Sequence, residues 1–155
     1  MYIPNKCIIS TEHARASPIG HLYDMHDALF VCNNDSDTFI LLVYLIYERL
    51  KGNDSFYHPY LELMDSTLHT TYWPEDTIEK SDIKIFKLNL KDSKDKYESD
   101  WEKINNFFAI YPDIFDPERA TKDLFLWALS ILHSRCFGWG LPALMLVPLA
   151  DCVNH

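Results

Sequence analysis

The chain has 155 residues, of which 48% are hydrophobic and 14% are aromatic, which is enough for one packed domain and excludes a wholly disordered chain. Its 23 acidic residues outnumber its 14 basic ones, giving a formal net charge of -9. Nucleic-acid binding requires Lys and Arg concentrated on one face, and here they are scattered among acids, so we expect no direct nucleic-acid partner.

The N-terminal third is predicted to hold a strand and two helices. Residues 2–9 alternate loosely between polar and apolar and contain a proline, which favours a short edge strand. Ser10 can cap a short helix that ends at Ala16. A longer helix over residues 38–51 is bounded by Gly52 and is apolar on every side, so we expect it to be buried nearly all round.

The middle of the chain is predicted to be helical with a charged, exposed centre. Residues 52–64 form a loop that leads into a short helical turn, and Trp73-Pro74-Glu75 opens a further helix. Residues 82–103 are rich in Lys and Asp, which is typical of an exposed helix or loop. Tyr111-Pro112-Asp113 then breaks the chain, and Asp116-Pro117-Glu118-Arg119 can start another helix.

The C-terminal segment is predicted to form a helix, a loop and a strand. Apolar residues recur at helical spacing over residues 121–136 and predict a buried face: Leu124, Trp127, Ala128, Ile131 and Leu132. Residues 138–142 form a loop, and residues 143–149 form a strand. These elements together describe a mostly helical body between two short strands, one near each end.

Two observations bear on location. The chain does not begin with a long apolar leader, and its four cysteines lie far apart: Cys7, Cys32, Cys136 and Cys152. We therefore expect reduced thiols in the cytoplasm or the nucleus. The most apolar stretch, Phe39 to Tyr47, is about half the length that a bilayer requires, so no membrane span is predicted.

A polar cluster follows the last predicted strand and has several interpretations. Cys152 and His155 have the spacing of a zinc pair, but a closed zinc site needs a second close pair. His133 and Cys136 could share a helix face, yet helix packing explains both as well, so we expect no metal site. Ser134 lacks a Gly-x-Ser-x-Gly elbow, and the chain has no phosphate loop or dinucleotide fingerprint.

The order of the motifs is more informative than any single residue. Taken alone, Arg135 is a cation near a helix end, and Asp151 and Asn154 are turn residues. The ordered set is Trp127-Ala128, Ser134-Arg135-x-Phe137 and Leu146-Val147-Pro148-Leu149-Ala150-Asp151-x-x-Asn154-His155. This set resembles the SET-domain protein methyltransferases, in the branch of the plant Rubisco large-subunit lysine methyltransferase and the animal actin-histidine methyltransferase. The helical insert of that branch is similar to Glu48-Arg49 followed by Ser55-Phe56 and Pro59-Tyr60-Leu61.

The resemblance implies an α+β fold, an incomplete SET domain with a mostly helical insert flanked by short β-strands. It implies that residues 1–35 end the first SET segment, residues 36–120 form the helical insert, and residues 121–155 start the second segment. In this family a Gly-x-Gly strand pair precedes the region, and a catalytic tyrosine follows it. We therefore expect an internal fragment and assign no catalytic residue.

The cofactor that the resemblance implies is S-adenosyl-L-methionine. Arg135 matches the family arginine that reaches the cofactor, where its planar fork suits a carboxylate. Asn154 can hold a zwitterion through both ends of its amide, and His155 contributes mainly through its backbone near the adenine. Asp151 stands at the family's acid position, where it can fix the turn or meet a cofactor donor.

The implied function is methyl transfer to a lysine or histidine side chain of a protein substrate, with the oligomeric state left open. The alternative is a catalytically inactive interaction module derived from a SET domain and built from its helical insert. The presence of Arg135 and Asn154-His155 favours the enzyme, because an interaction module has no evident need for them.

Overall fold

The fold is built around one buried helix, in a computed structural model that describes residues 2–32, 35–64, 73–138, 141 and 143–152. This helix, α4, covers Ser36–Lys51, and every residue from Phe39 to Ile46 within it is buried. Gly52 follows with φ 57° and ψ -129°, a conformation that residues with side chains rarely adopt, and ends the helix. The prediction of a helix buried nearly all round is confirmed.

Two capped helices pack against α4. The first, α1, covers Thr11–Ala16, and the Ser10 hydroxyl caps it by accepting a hydrogen bond from the backbone N–H of His13 at 3.2 Å. The other, α8, covers Lys122–Arg135 and is capped in the same way by the hydroxyl of Thr121. Its contact with α4 is the most extensive between any two described elements. Both helices were predicted, and both are confirmed.

The described residues form one small antiparallel sheet of two strands. β1 is Ile9–Ser10 and β2 is Met145–Leu146, and Ile9 lies opposite Leu146. An isolated bridge joins Phe137 to β2. The sheet is not closed and the chain is mostly helical, so the predicted α+β class with short strands is confirmed.

Three predicted elements differ from the structure. The strand predicted over residues 2–9 is largely wrong, because Asn5–Cys7 turns as a 3-10 helix and only Ile9 reaches a strand partner. The strand predicted over residues 143–149 shortens to β2 for the same reason, since only its centre is paired. The helix expected to start near Asp116 does not form, and α8 begins only at Lys122.

Two short helices that the sequence did not predict connect α1 to α4. They are α2, over Gly20–Met25, and α3, over Asp27–Phe30. The rings of Tyr23 and Phe30 are fully buried and lie edge to face, with centroids 5.0 Å apart. A Cβ on Gly20 would stand 1.9 Å from the carbonyl oxygen of Arg15, so the approach of α1 to α2 requires glycine.

The region between α4 and α8 is helical as predicted. It contains α5 over His58–Glu62, α6 over Glu75–Glu79 and α7 over Lys84–Ile110. Much of α7 is exposed and charged, but its last turns bury Ile104, Phe107 and Phe108 against the core. No helix within the described residues combines the length and the apolar character needed to cross a bilayer.

Candidate functional site

Arg135 lies at the C-terminal end of α8, and its guanidinium contacts an acid that follows β2. Its Nη1 is 3.3 Å from Oδ2 of Asp151. The side chain of Arg135 is 30% exposed, whereas that of Asp151 is 0% exposed, so the cation lies between a buried acid and the surface. A guanidinium has five N–H donors, and one contact with Asp151 leaves others for an anion.

Asp151 lies in a 3-10 turn, Ala150–Cys152, that directly follows a strained residue. Leu149 has φ 73°, which is uncommon for a residue with a side chain. Such a conformation costs about 1–3 kcal/mol and persists only where the surrounding contacts hold it. The contacts of the buried Asp151 carboxylate help to keep this turn in place.

Tyr60 completes the cluster from α5. Its hydroxyl donates a hydrogen bond to Oδ2 of Asp151 at 2.8 Å. Burial raises the pKa of Tyr60 well above its ordinary value, and the hydrogen bond to Asp151 raises it further. The hydroxyl is therefore protonated and able to donate throughout the neutral range. We call Tyr60, Arg135 and Asp151 the Asp151 cluster.

The structure brings together the two predicted cofactor residues that it describes, Arg135 and Asp151. The other two, Asn154 and His155, lie outside the described residues. Of the two roles predicted for Asp151, the burial of its side chain and its contacts with Tyr60, Arg135 and the Cys152 thiol support fixing the turn. A contact between any of these four residues and a cofactor stays a prediction.

The polar residues of the insert motif tie α4 to its neighbours. Glu48 is only 4% exposed, and it accepts hydrogen bonds from the Ser55 hydroxyl at 2.5 Å and from Nζ of Lys51 at 3.0 Å. The guanidinium of Arg49 lies 5.1 Å from the ring centroid of Trp127, within the range of a cation–π contact. These contacts fix the turn that leads into α5 and join the insert to α8.

Cysteine and metal chemistry find little support in the described part of the chain. No group of three or more His, Cys, Asp or Glu side chains there is arranged to hold a metal ion. All four cysteines are free. Burial raises the pKa of the Cys136 thiol to about 11, so this side chain is protonated near neutral pH and is a poor nucleophile.

Comparison with known proteins identifies relatives along the whole chain, although no family model matches it. The chain is 25% identical over its full length to the ribulose-1,5-bisphosphate carboxylase/oxygenase large subunit N-methyltransferase of Pisum sativum, and covers 30% of that protein. The crystal structure of the SET domain of LSMT, bound to lysine and AdoHcy, matches 99% of this chain with a TM-score of 0.80 and 26% identity. The chain is therefore similar along its length to SET-domain proteins of the Rubisco large-subunit methyltransferase branch.

Two further similarities extend this SET-domain relationship. The chain is 30% identical over 99% of its length to the [fructose-bisphosphate aldolase]-lysine N-methyltransferase of Arabidopsis thaliana, and covers 30% of that protein. The structure of Rubisco LSMT bound to AdoMet matches with a TM-score of 0.79 and 27% identity, over 99% of this chain and 34% of the solved one.

The resemblance drawn from the ordered motifs is therefore confirmed. The chain spans about 30% of the length of the curated relatives that it matches. The segment boundaries given above, 1–35, 36–120 and 121–155, stay predictions.

Proposed function

We propose that the protein transfers methyl groups from S-adenosylmethionine to side-chain nitrogens of a protein substrate. The supporting observation is the Asp151 cluster, in which a partly exposed Arg135 is held beside a buried acid. It occurs in a chain that matches, over 99% of its length, a protein solved with AdoMet. A partly exposed guanidinium that uses one N–H donor on Asp151 keeps further donors, which suit the carboxylate of that cofactor.

In this proposal each of the four site residues has a separate role in binding the cofactor. When bound, S-adenosylmethionine supplies a methyl group on a positively charged sulfur. Arg135 would hold the cofactor's carboxylate through charge-assisted hydrogen bonds. Asp151, itself buried, would orient Arg135 and the turn that leads to residues 154 and 155. Asn154 would hold the zwitterionic end of the cofactor, and His155 would contribute its backbone near the adenine.

The proposed target is lysine rather than histidine. The Arabidopsis relative is named for a lysine substrate, and Rubisco LSMT has been solved with monomethyllysine. Transfer to a lysine amine requires a deprotonated nitrogen aligned with the methyl group and a site that excludes water. We further propose a cytoplasmic or nuclear location, on the basis of the four free cysteines.

Titration of the full-length protein with S-adenosylmethionine in a calorimeter tests the cofactor proposal. We expect a Kd below about 1 mM for the wild type and no measurable binding for Arg135→Ala. Arg15→Ala is the matched control, because Nη1 of Arg15 also lies 3.3 Å from an aspartate oxygen, in an exposed pair with Asp24. An unchanged Kd in Arg135→Ala would contradict the role given to this residue.

Methyl labelling tests the reaction and its target. The full-length protein is incubated with methyl-labelled S-adenosylmethionine and protein from its source cells, and the labelled protein is hydrolysed to amino acids. Label in methyllysine supports the proposal, and label in methylhistidine would move the target to histidine. If the wild type binds the cofactor but transfers no label, the interaction module becomes the better account.

A further inference from the structure

The Asp151 cluster joins parts of the chain that are far apart in the sequence. Tyr60 belongs to α5 within the predicted insert, and Asp151 follows β2, 91 positions later. Arg135 reaches the same carboxylate from α8. A side chain of the insert is thus in direct contact with the acid of the proposed cofactor site.

The two contacts to Oδ2 of Asp151 are unequal. The Tyr60 hydroxyl lies at 2.8 Å and Nη1 of Arg135 at 3.3 Å, whereas the weak thiol donor of Cys152 lies 3.7 Å from the other oxygen, Oδ1. Because the Asp151 side chain is 0% exposed, its charge depends on partners within the protein rather than on water. The shorter hydrogen bond from Tyr60 therefore stabilises much of the carboxylate charge, so the guanidinium of Arg135 does not have to stabilise all of it.

We propose that Tyr60 is a positioning residue of the cofactor site, which holds Asp151 so that Arg135 keeps N–H donors directed at the cofactor's carboxylate. This inference rests on the proposed function. Without the Tyr60 hydroxyl, the buried carboxylate draws the guanidinium inward to replace the lost donor. Arg135 is then withdrawn from the cofactor, and the helical insert controls cofactor affinity through this single hydrogen bond.

The test compares two tyrosine-to-phenylalanine variants of the full-length protein. Tyr60→Phe removes one oxygen and keeps the ring. Tyr57→Phe is the matched control, because Tyr57 lies just before α5 and its hydroxyl donates to the backbone carbonyl of Ile8 at 3.2 Å, away from Asp151. Thermal unfolding followed by circular dichroism gives the temperature range in which both variants are native, and the binding measurements are made there.

Calorimetric Kd values for S-adenosylmethionine are the main readout. We expect Tyr60→Phe to raise the Kd about ten-fold, as the loss of a hydrogen bond to a charged group implies, and Tyr57→Phe to change it less than about two-fold. In turnover, KM for S-adenosylmethionine should rise with kcat at saturation unchanged. Since burial keeps the Tyr60 hydroxyl protonated, the effect should be constant between about pH 6 and pH 9.

A double-variant comparison tests whether Tyr60 acts through Asp151. In an Asp151→Asn background the buried charge is absent, so adding Tyr60→Phe should change the Kd less than about two-fold. Equal effects of Tyr60→Phe and Tyr57→Phe, or a ten-fold effect that persists with Asp151→Asn, would overturn the inference. A wild type that does not bind the cofactor would overturn the proposed function as well, and this result is read before any variant is compared.

Discussion

Replacing Arg135 with alanine perturbs the charge balance of the Asp151 cluster. The substitution leaves the Asp151 carboxylate, which is 0% exposed, with the Tyr60 hydroxyl as its remaining hydrogen-bond donor in the cluster. Removing one partner of a fully buried ion pair costs about 3–5 kcal/mol. Arg135 is 30% exposed, however, so water can enter the vacated space and offset part of this cost. We expect the free energy of unfolding to fall by about 2 kcal/mol.

A second variant separates the charge from the packing. Arg135→Ala combined with Asp151→Asn keeps the shape of the buried side chain, and the asparagine carbonyl can still accept the hydrogen bond from Tyr60. Because no unpaired charge remains buried, we expect the double variant to recover about 1 kcal/mol relative to Arg135→Ala. Arg15→Ala opens an exposed pair instead and should cost less than about 0.5 kcal/mol.

Urea unfolding followed by circular dichroism measures these differences, provided that the variants share one slope against denaturant. The reasoning is refuted if Arg135→Ala costs no more than Arg15→Ala. It is also refuted if the double variant is no more stable than Arg135→Ala, because the lost stability would then owe nothing to the buried charge of Asp151.

Other substitutions and a labelling experiment test separate features. Gly20→Ala places a methyl group 1.9 Å from a backbone carbonyl oxygen and should lower the stability measured by thermal unfolding by about 3 kcal/mol or more. Gly52→Ala meets nothing within 4 Å and strains only a φ of 57°, so it should cost about 1–2 kcal/mol. Equal losses of stability in the two variants would contradict the clash at Gly20. Leu149→Gly relieves a φ of 73° at a residue that is 65% exposed, so the free energy of unfolding should rise or stay within about 1 kcal/mol. A larger loss would show that the leucine side chain contributes packing. Burial raises the pKa of the Cys136 thiol to about 11. At mildly alkaline pH this thiol should therefore react with iodoacetamide at least about ten-fold more slowly than the exposed Cys32. Equal labelling rates of the two cysteines, measured by peptide mass spectrometry, would contradict this.

The ends of the helices could be predicted from local chemistry. Ser10 indicates the start of α1, because its hydroxyl can accept a hydrogen bond from a free backbone N–H. Gly52 indicates the end of α4, because glycine tolerates the backbone conformation at that position. A helix start was also predicted near Asp116, but no helix begins there, and α8 is capped by Thr121, five residues later. The sequence alone does not show which of two neighbouring start signals begins a helix, because the packing of the following helix decides it.

Contacts between residues far apart in the sequence could not be predicted from local patterns. Residues 2–9 alternate like a strand, but a strand forms only where a partner strand lies alongside. In this part of the chain, only Ile9 and the following Ser10 pair with β2. Tyr60 was noticed only as a member of the insert motif, because a hydrogen bond across 91 positions leaves no periodic signal. The ordered motifs did predict Arg135 and Asp151 as parts of one site, and their side chains lie 3.3 Å apart.

The pairing of Ile9 with Leu146 has a consequence for the order in which the molecule assembles. During synthesis on the ribosome, β1 and the eight described α-helices emerge before β2. The entropic cost of closing a loop of this length has to be met before the strand contacts form, so such non-local pairing is slow. The helical core can therefore collapse on the nascent chain, while the sheet closes late. Asp151 lies five residues beyond the end of β2, so the Asp151 cluster should be the last part of the described molecule to become native.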